Sequence, residues 1–333
     1  MPKIICLGIE STAHTFGCSI VTDKGEILSD TKDTYTTNKG GIIPSEAAEH
    51  HKKVKDSVIR KAVEESKVNE KDISIISWSQ SPGLPLSLAV GKNAAIDLAK
   101  KLNIPLIGVS HLVSHLEIGR LLTKAKDPVF ILATGANTQI IALEGNKYRI
   151  FGEALTIGIG NAFDKFGREI GLGFPSGPKV EELSKKGSYI NLPYVVKGMD
   201  IEFSGIITKA INLYQQKKAS KEDLCFSLQE TLFSMLTEVS ERALAHTEKK
   251  ELLLIGGVAA NKRLIEMLEI MCKERNSKFY VVPVKYSGDN ASMIAWTGIL
   301  QYKSDPDFYK NLNLENIDIK PRQRIDEIEV NRV

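Results

Sequence analysis

Cysteine is scarce in this 333-residue chain. There are four, at positions 6, 18, 225 and 272, and no two form a CxxC pair. That excludes a disulfide framework and a cysteine-cage zinc site, and it fits a reducing, cytoplasmic setting. Long apolar runs are missing too. No stretch approaches the roughly 18 residues that span a bilayer. The opening MPKIICLGIEST turns polar at Glu10-Ser11-Thr12, too early for a signal peptide. Charge of one sign is not in excess: 44 Lys and Arg stand against 41 Asp and Glu, a net of +3. This excludes a uniformly basic nucleic-acid coat but leaves room for a local basic patch. Neither GxGxxG nor the GxxxxGK[ST] loop occurs, and HExxH fails because Leu112 follows His111.

What is present is a globular balance, 42% apolar and 26% charged residues. The length suits two domains at roughly 100–200 residues each. The start reads as a strand over 4–9, a polar break, a second strand over 16–21, and a turn at Asp23-Lys24-Gly25. The same pattern returns after about 125 residues: a strand over 129–132, a small polar break, a strand over 139–143, a turn at Glu144-Gly145-Asn146, and a strand over 148–151. This is the signature of a duplicated α/β domain. Helices are expected over 44–65, 87–102, 111–122, 179–186, 206–216, 223–248, 261–275 and 291–302. The expected division is a first domain over 1–125, completed by the helix near 291–303, a second over 126–290, and a polar tail or linker over 304–333.

Three Gly-rich or polar turns follow apolar strands, over 8–17, 134–139 and 256–261. Turns of this kind present backbone N–H groups to phosphate, especially ahead of a helix. His111 and His115 are four apart, on one helix face, a spacing suited to one metal ion. Asp289 is the candidate third ligand; its alternative role is N-cap of the helix that follows. Asp164 and Glu181, read as lying beside glycine-rich turns, either accept from ribose hydroxyls or cap helices. Lys52, Lys53, Lys55, Arg60 and Lys61, beside His50 and His51, form either a phosphate-facing stripe or a solvated helix face. Leu116, Ile118 and Leu121 mark either core or a partner surface.

Several motifs in order, IxxxGIEST, GGIIPSEAAEHH, GLPLSLAVGKNAA, HLVSHLE, GANTQ, GNAFDKFGR, FPSGPKVEEL, FSGIIT, GGVAAN and YSGDNASMIA, resemble the universal tRNA threonylcarbamoyladenosine proteins. The resemblance covers about residues 4–303, and the phrase at 116–120 is similar to the archaeal–eukaryotic branch. It implies an actin/Hsp70/sugar-kinase-like α/β fold, with two RNase-H-like domains around a nucleotide cleft. It also implies transfer of a threonylcarbamoyl group from threonylcarbamoyl-adenylate to N6 of adenosine 37 in tRNAs reading ANN codons. The implied setting is the KEOPS complex, with tRNA, a small kinase-like subunit, in some archaea fused at the C-terminus, and a small dimerising subunit as partners, and no membrane. Carried over by position, His111, His115 and Asp289 match ligands of one divalent ion, Fe or Zn. Asp164, Gly177, Glu181 and Asn261 match residues holding the adenine nucleoside. Glu10, Ser11 and Thr12, and Thr134, Gly135, Ala136 and Asn137, match phosphate loops; Gly256 and Gly257 belong to the third turn. Two positions depart from the pattern: Leu132 stands where a tyrosine is usual and Ala136 where a glycine is usual. The rival readings are an actin-like ATPase or kinase, and a catalytically impaired scaffold.

Overall fold

The structure is a computed structural model that describes residues 3–37 and 42–330. The Gly40-Gly41 pair of the second motif lies outside the described residues, as do Met1, Pro2 and the end of the polar tail from Asn331. The chain divides into two compact units. The first comprises residues 1–121, 145–148 and 289–333, and the second 122–144 and 149–288.

The first unit is built on strands β1 (Ile5–Glu10), β2 (Thr15–Thr22) and β3 (Ile27–Thr34), then helix α1 (Pro44–Ser66), β4 (Ile75–Ser81), α2 (Pro85–Leu102), β5 (Leu106–Ser110) and α3 (His111–Thr123). The sheet order is β3-β2-β1-β4-β5. β1 runs antiparallel to β2 and parallel to β4. Every residue of β1 and β2 is buried, so neither strand alternates between a core face and a solvated face.

The second unit repeats the plan. Its elements are β6 (Val129–Ala133), β7 (Thr138–Glu144), β8 (Lys147–Glu153), α4 (Ile159–Glu169), α5 (Gly177–Ser184), the short pair β9 (Val196–Lys197) and β10 (Asp200–Ile201), α6 (Ser204–Gln215), α7 (Lys221–Thr247), β11 (Glu251–Ile255), α8 (Lys262–Glu274) and β12 (Lys278–Val281). Its sheet order is β8-β7-β6-β11-β12, the same topology as the first. The repeat seen in the sequence is therefore a repeat of fold. The long α7 starts at Ser220, whose side chain accepts from the Asp223 N–H, and it buries Leu228, Leu232, Phe233 and Leu236 against the sheet.

The chain then returns to the first unit with α9 (Ala291–Ser304) and α10 (Pro306–Lys310). Small residues let α9 press on the sheet. A Cβ at Gly8 would lie 2.5 Å from the Ala295 nitrogen, and one at Gly298 would lie 2.3 Å from the Ser77 Cβ. The polar segment that follows is strapped to the same unit. Lys320 N–H donates to the Gln80 carbonyl, Ser81 Oγ bonds Gln323 Oε1 at 2.6 Å, and Ile325 is buried. All four cysteines are buried and unbridged. No described helix is long and apolar enough to cross a membrane.

Candidate functional site

Strand β5 runs directly into α3, so His111 is the first residue of the helix and His115 lies one turn on. Asp289 begins the return segment ahead of α9. The alternative role weighed for it falls to its neighbour: Asn290 is the N-cap, its side chain accepting from the Met293 N–H at 3.0 Å. The Asp289 carboxylate is thus available to the histidines, and its carbonyl is held by Lys32 Nζ at 3.0 Å. The Nε2 atoms of His111 and His115 are 3.2 Å apart, and Asp289 Oδ1 is 3.5 Å from each.

That triangle fits a metal ion. Ligands about 2.1 Å from an ion at tetrahedral angles stand about 3.4 Å apart. Two imidazoles and a carboxylate are a donor set for Zn or Fe. The charge fits as well. Burial alone would hold His111 neutral, but the carboxylates of Glu10 and Asp289 outweigh it and raise its pKa to about 9. Burial would raise the Asp289 carboxyl, yet the two imidazoles outweigh it and hold the group well below the usual range. His115 is pushed down, chiefly by burial. The two carboxylates flank His111 from opposite ring nitrogens, and a dication with neutral rings would balance their charge.

The turn after β1 begins buried at Ser11 and Thr12 and becomes half-buried at Ala13 and His14. The Ser11 N–H donates to Ser79 Oγ at 2.9 Å, and the Thr12 N–H donates to Glu10 Oε1 at 2.7 Å. The Thr12 hydroxyl also donates to Glu10 Oε1. The other Glu10 oxygen, Oε2, lies 3.0 Å from His111 Nδ1. The backbone donors of Ser11 and Thr12 and the Thr12 hydroxyl are thus engaged within the protein, while the buried Ser11 hydroxyl has no partner among the described residues. Sequence reasoning placed these residues in a phosphate loop and missed the pairing of Glu10 with a histidine 101 positions away. The one local signal was a carboxylate at the end of an otherwise apolar strand.

In the second unit, the turn after β6 is closed by Thr134 N–H to the Asn137 carbonyl at 2.8 Å, and Gly135 and Ala136 sit exposed at its tip. Ala136 does not have a positive φ, so alanine fits there without strain. The N-terminus of α4 docks on this turn through Gly160 N–H to the Thr134 carbonyl and Asn161 N–H to the Gly135 carbonyl. Helix α4 was not foreseen, and Asp164 lies within it rather than beside a turn. Glycines at 158, 160 and 167 mask an amphipathic face of Ile159, Ala162, Phe163 and Phe166. Asp164 Oδ1 accepts from the Ser176 N–H at 2.7 Å, and burial raises its pKa.

Gly177 is the first residue of α5, which carries Glu181. Glu181 Oε1 accepts from the Lys262 N–H at 2.9 Å. Asn261 caps α8 by accepting from Arg263 and Leu264, and its amide donates to Gln229. Gly256 and Gly257 open the 3-10 turn between β11 and α8. Leu132 is wholly buried in β6.

Other candidates resolve as structure. Lys52 pairs with Glu49 at 2.6 Å, Lys55 with Asp56 at 2.7 Å and Lys61 with Glu65 at 3.7 Å, the pattern of a solvated helix face. Leu116 and Ile118 are core. Glu117 is buried and bonded to Arg120 at 2.7 Å and to the Tyr148 hydroxyl, so it is no free general base.

A family model described as tRNA N6-adenosine threonylcarbamoyltransferase (TsaD) matches residues 26–296. A protein of that name from Thermococcus sibiricus is 51% identical over 98% of this chain and 99% of its own length. One from Archaeoglobus fulgidus is 49% identical over the same shares. A probable bifunctional tRNA threonylcarbamoyladenosine biosynthesis protein from Methanocaldococcus jannaschii is 48% identical over 98% of this chain, which spans 60% of that longer protein. Among solved structures, HypF from T. kodakarensis superposes with a TM-score of 0.64 at 14% identity, over 91% of this chain and 49% of that one. The activator of 2-hydroxyisocaproyl-CoA dehydratase from Clostridium difficile, with bound ADPNP, gives 0.54 at 13% identity, over 93% of this chain and all of that one. At such identities the two structures show the fold alone, the actin/Hsp70/sugar-kinase-like α/β architecture.

Proposed function

Because this chain belongs to the tRNA N6-adenosine threonylcarbamoyltransferase family, we propose that its first unit holds a divalent metal and its second the adenylate of an acyl donor. The activity is transfer of a threonylcarbamoyl group to N6 of an adenosine in tRNA. In this reading the donor is threonylcarbamoyl-adenylate and the acceptor is adenosine 37 of tRNAs reading ANN codons. A bond forms between N6 and the carbamoyl carbon, the bond from that carbon to the phosphate oxygen breaks, AMP leaves, and N6 gives up a proton.

His111 Nε2, His115 Nε2 and Asp289 Oδ1 would hold the metal. Their mutual spacing of 3.2 to 3.5 Å supports this assignment. A bound Fe or Zn dication supplies Lewis acidity. The exposed tip at Gly135 and Ala136 would offer backbone N–H groups to phosphate. Asp164 and Glu181 would accept from ribose hydroxyls, each with one oxygen already engaged by backbone. Gly177 and Gly257 support a ligand there. A Cβ at either would meet nothing within 4 Å, so the protein's own packing does not require glycine at these two positions.

The observation that carries the reading is the near-full-length identity of about 50% to transferases of this family. The longer bifunctional relative supports a partner domain of a second function, and a net charge of only +3 supports partners that share tRNA binding. Transfer of labelled threonylcarbamoyl from its adenylate to tRNA tests this, with and without partner subunits, in the wild type and in His115→Ala. Label enters tRNA with the wild type and not with the variant. Nucleotide turnover without tRNA labelling would favour the kinase reading instead.

A further inference from the structure

We infer that Glu10 is a positioning residue for the metal site: its buried carboxylate accepts a hydrogen bond from the Nδ1–H of His111 and so aims the Nε2 lone pair at the space shared with His115 and Asp289. The inference rests on the metal reading above and adds a residue to it.

The geometry is one-directional. Glu10 is completely buried at the end of β1, so its carboxylate cannot meet a ligand from solvent. Oε1 takes both donors of Thr12, the backbone N–H and the hydroxyl. Oε2 is left facing His111 Nδ1 at 3.0 Å, and the Thr12 hydroxyl, its hydrogen given to Glu10, turns only a lone pair to the same nitrogen at 3.3 Å. An ionised carboxylate can only accept. Nδ1 must therefore carry hydrogen, which leaves Nε2 as the nitrogen that binds metal. Histidines that bind metal commonly donate the other ring N–H to a carboxylate, which fixes tautomer and ring orientation. The surroundings make Glu10 rigid. A Cβ at Gly83 would sit 2.6 Å from the Thr12 carbonyl, and one at Gly91 would sit 2.0 Å from Ser11 Oγ, so neighbouring backbone clamps the turn.

The isosteric variant Glu10→Gln isolates this role, because a carboxamide has one oxygen. If that oxygen serves Thr12, the NH2 group faces His111 Nδ1 and forces the proton onto Nε2. If it serves His111, Thr12 loses its acceptor. Zinc affinity of the purified metal-free protein, measured by chelator competition, should fall 10–100-fold. The thermal midpoint of the metal-free protein is read alongside. In zinc-saturated wild type, 15N spectra should show a proton on His111 Nδ1. Affinity within twofold of wild type, in a Glu10→Gln protein that folds, overturns the inference. Should Glu10→Gln fail to fold, Thr12→Val decides. It removes one of the two donors that fix Oε1, together with the oxygen 3.3 Å from His111 Nδ1, and zinc affinity should fall about threefold to tenfold by the same logic; no change overturns the inference. His115→Ala is the control for the underlying reading. If it keeps full zinc affinity, the metal site itself is wrong; if it loses zinc while Glu10→Gln keeps it, only the role of Glu10 is wrong.

Discussion

Gly256 and Gly257 are neighbours in opposite surroundings, one crowded and one open, and alanine at each separates a demand of the fold from the proposed ligand contact. Gly256 has φ +100°, and a Cβ there would lie 2.2 Å from the Ala133 carbonyl oxygen. The unusual φ costs a non-glycine residue about 1–3 kcal/mol. Relieving an overlap with backbone that cannot rotate away adds about 1–3 kcal/mol. Gly256→Ala should therefore destabilise the protein by about 3 kcal/mol or more, lowering the thermal midpoint by several degrees. Gly257 has no such φ, and a Cβ there meets nothing within 4 Å. Gly257→Ala should leave stability unchanged or raise it by about 0.4–1 kcal/mol through the unfolded chain. If this turn receives the nucleotide, the added methyl occupies ligand space, and AMP affinity should drop about tenfold, a cost of about 1.4 kcal/mol. Thermal denaturation and calorimetric titration with AMP read the two effects separately. Wild-type AMP affinity in Gly257→Ala would refute the argument that its open glycine serves a ligand. An unchanged midpoint in Gly256→Ala would refute the strain argument.

Three further outcomes are expected. His115→Ala and Asp289→Ala should each lose bound metal by elemental analysis, and transfer should fall more than about 100-fold, while far-ultraviolet circular dichroism stays that of the wild type; retained metal in both contradicts the ligand set. Glu117→Ala removes a buried carboxylate that the half-buried Arg120 and the Tyr148 hydroxyl both bond, and should cost about 1–3 kcal/mol in urea unfolding; a loss under about 0.5 kcal/mol would mean the pair is well solvated. The third concerns His51, which is buried with its pKa pushed down to about 4, first by burial and then by His50, with Glu10 opposing and His14 adding to the fall. The unfolded ring, near 6.5, binds the proton more readily. This group's contribution is therefore intact above about pH 6.5 and is lost as pH falls toward 4, by at most about 1.4 kcal/mol per unit. Urea midpoints of wild type and His51→Gln should converge on acidification; parallel curves would show that His51 does not titrate in this window.

The sequence by itself determined the duplicated plan. Strands and turns of the two halves are set by local periodicity, and turn glycines at 25 and 145, both with positive φ, mark the same hairpin position in each. The histidine pair was legible because four residues is one helical turn. Helix α4 was not, since its glycines look like loop and only packing of Phe163 and Phe166 against the second core makes the segment a helix. Whether Asp289 or Asn290 capped α9 could not be read from adjacent polar residues; the bond from Met293 to Asn290 decided it and left Asp289 for the histidines. Glu10 is the clearest case. In the sequence it is one polar residue in a turn that resembles a phosphate loop. Its two oxygens face Thr12 and His111 only because β1 and β5 flank β4 in one sheet, which brings the ends of two distant segments together. Local chemistry is written in spacing; a partner 101 residues away is fixed by strand order, and strand order is a property of the packed core.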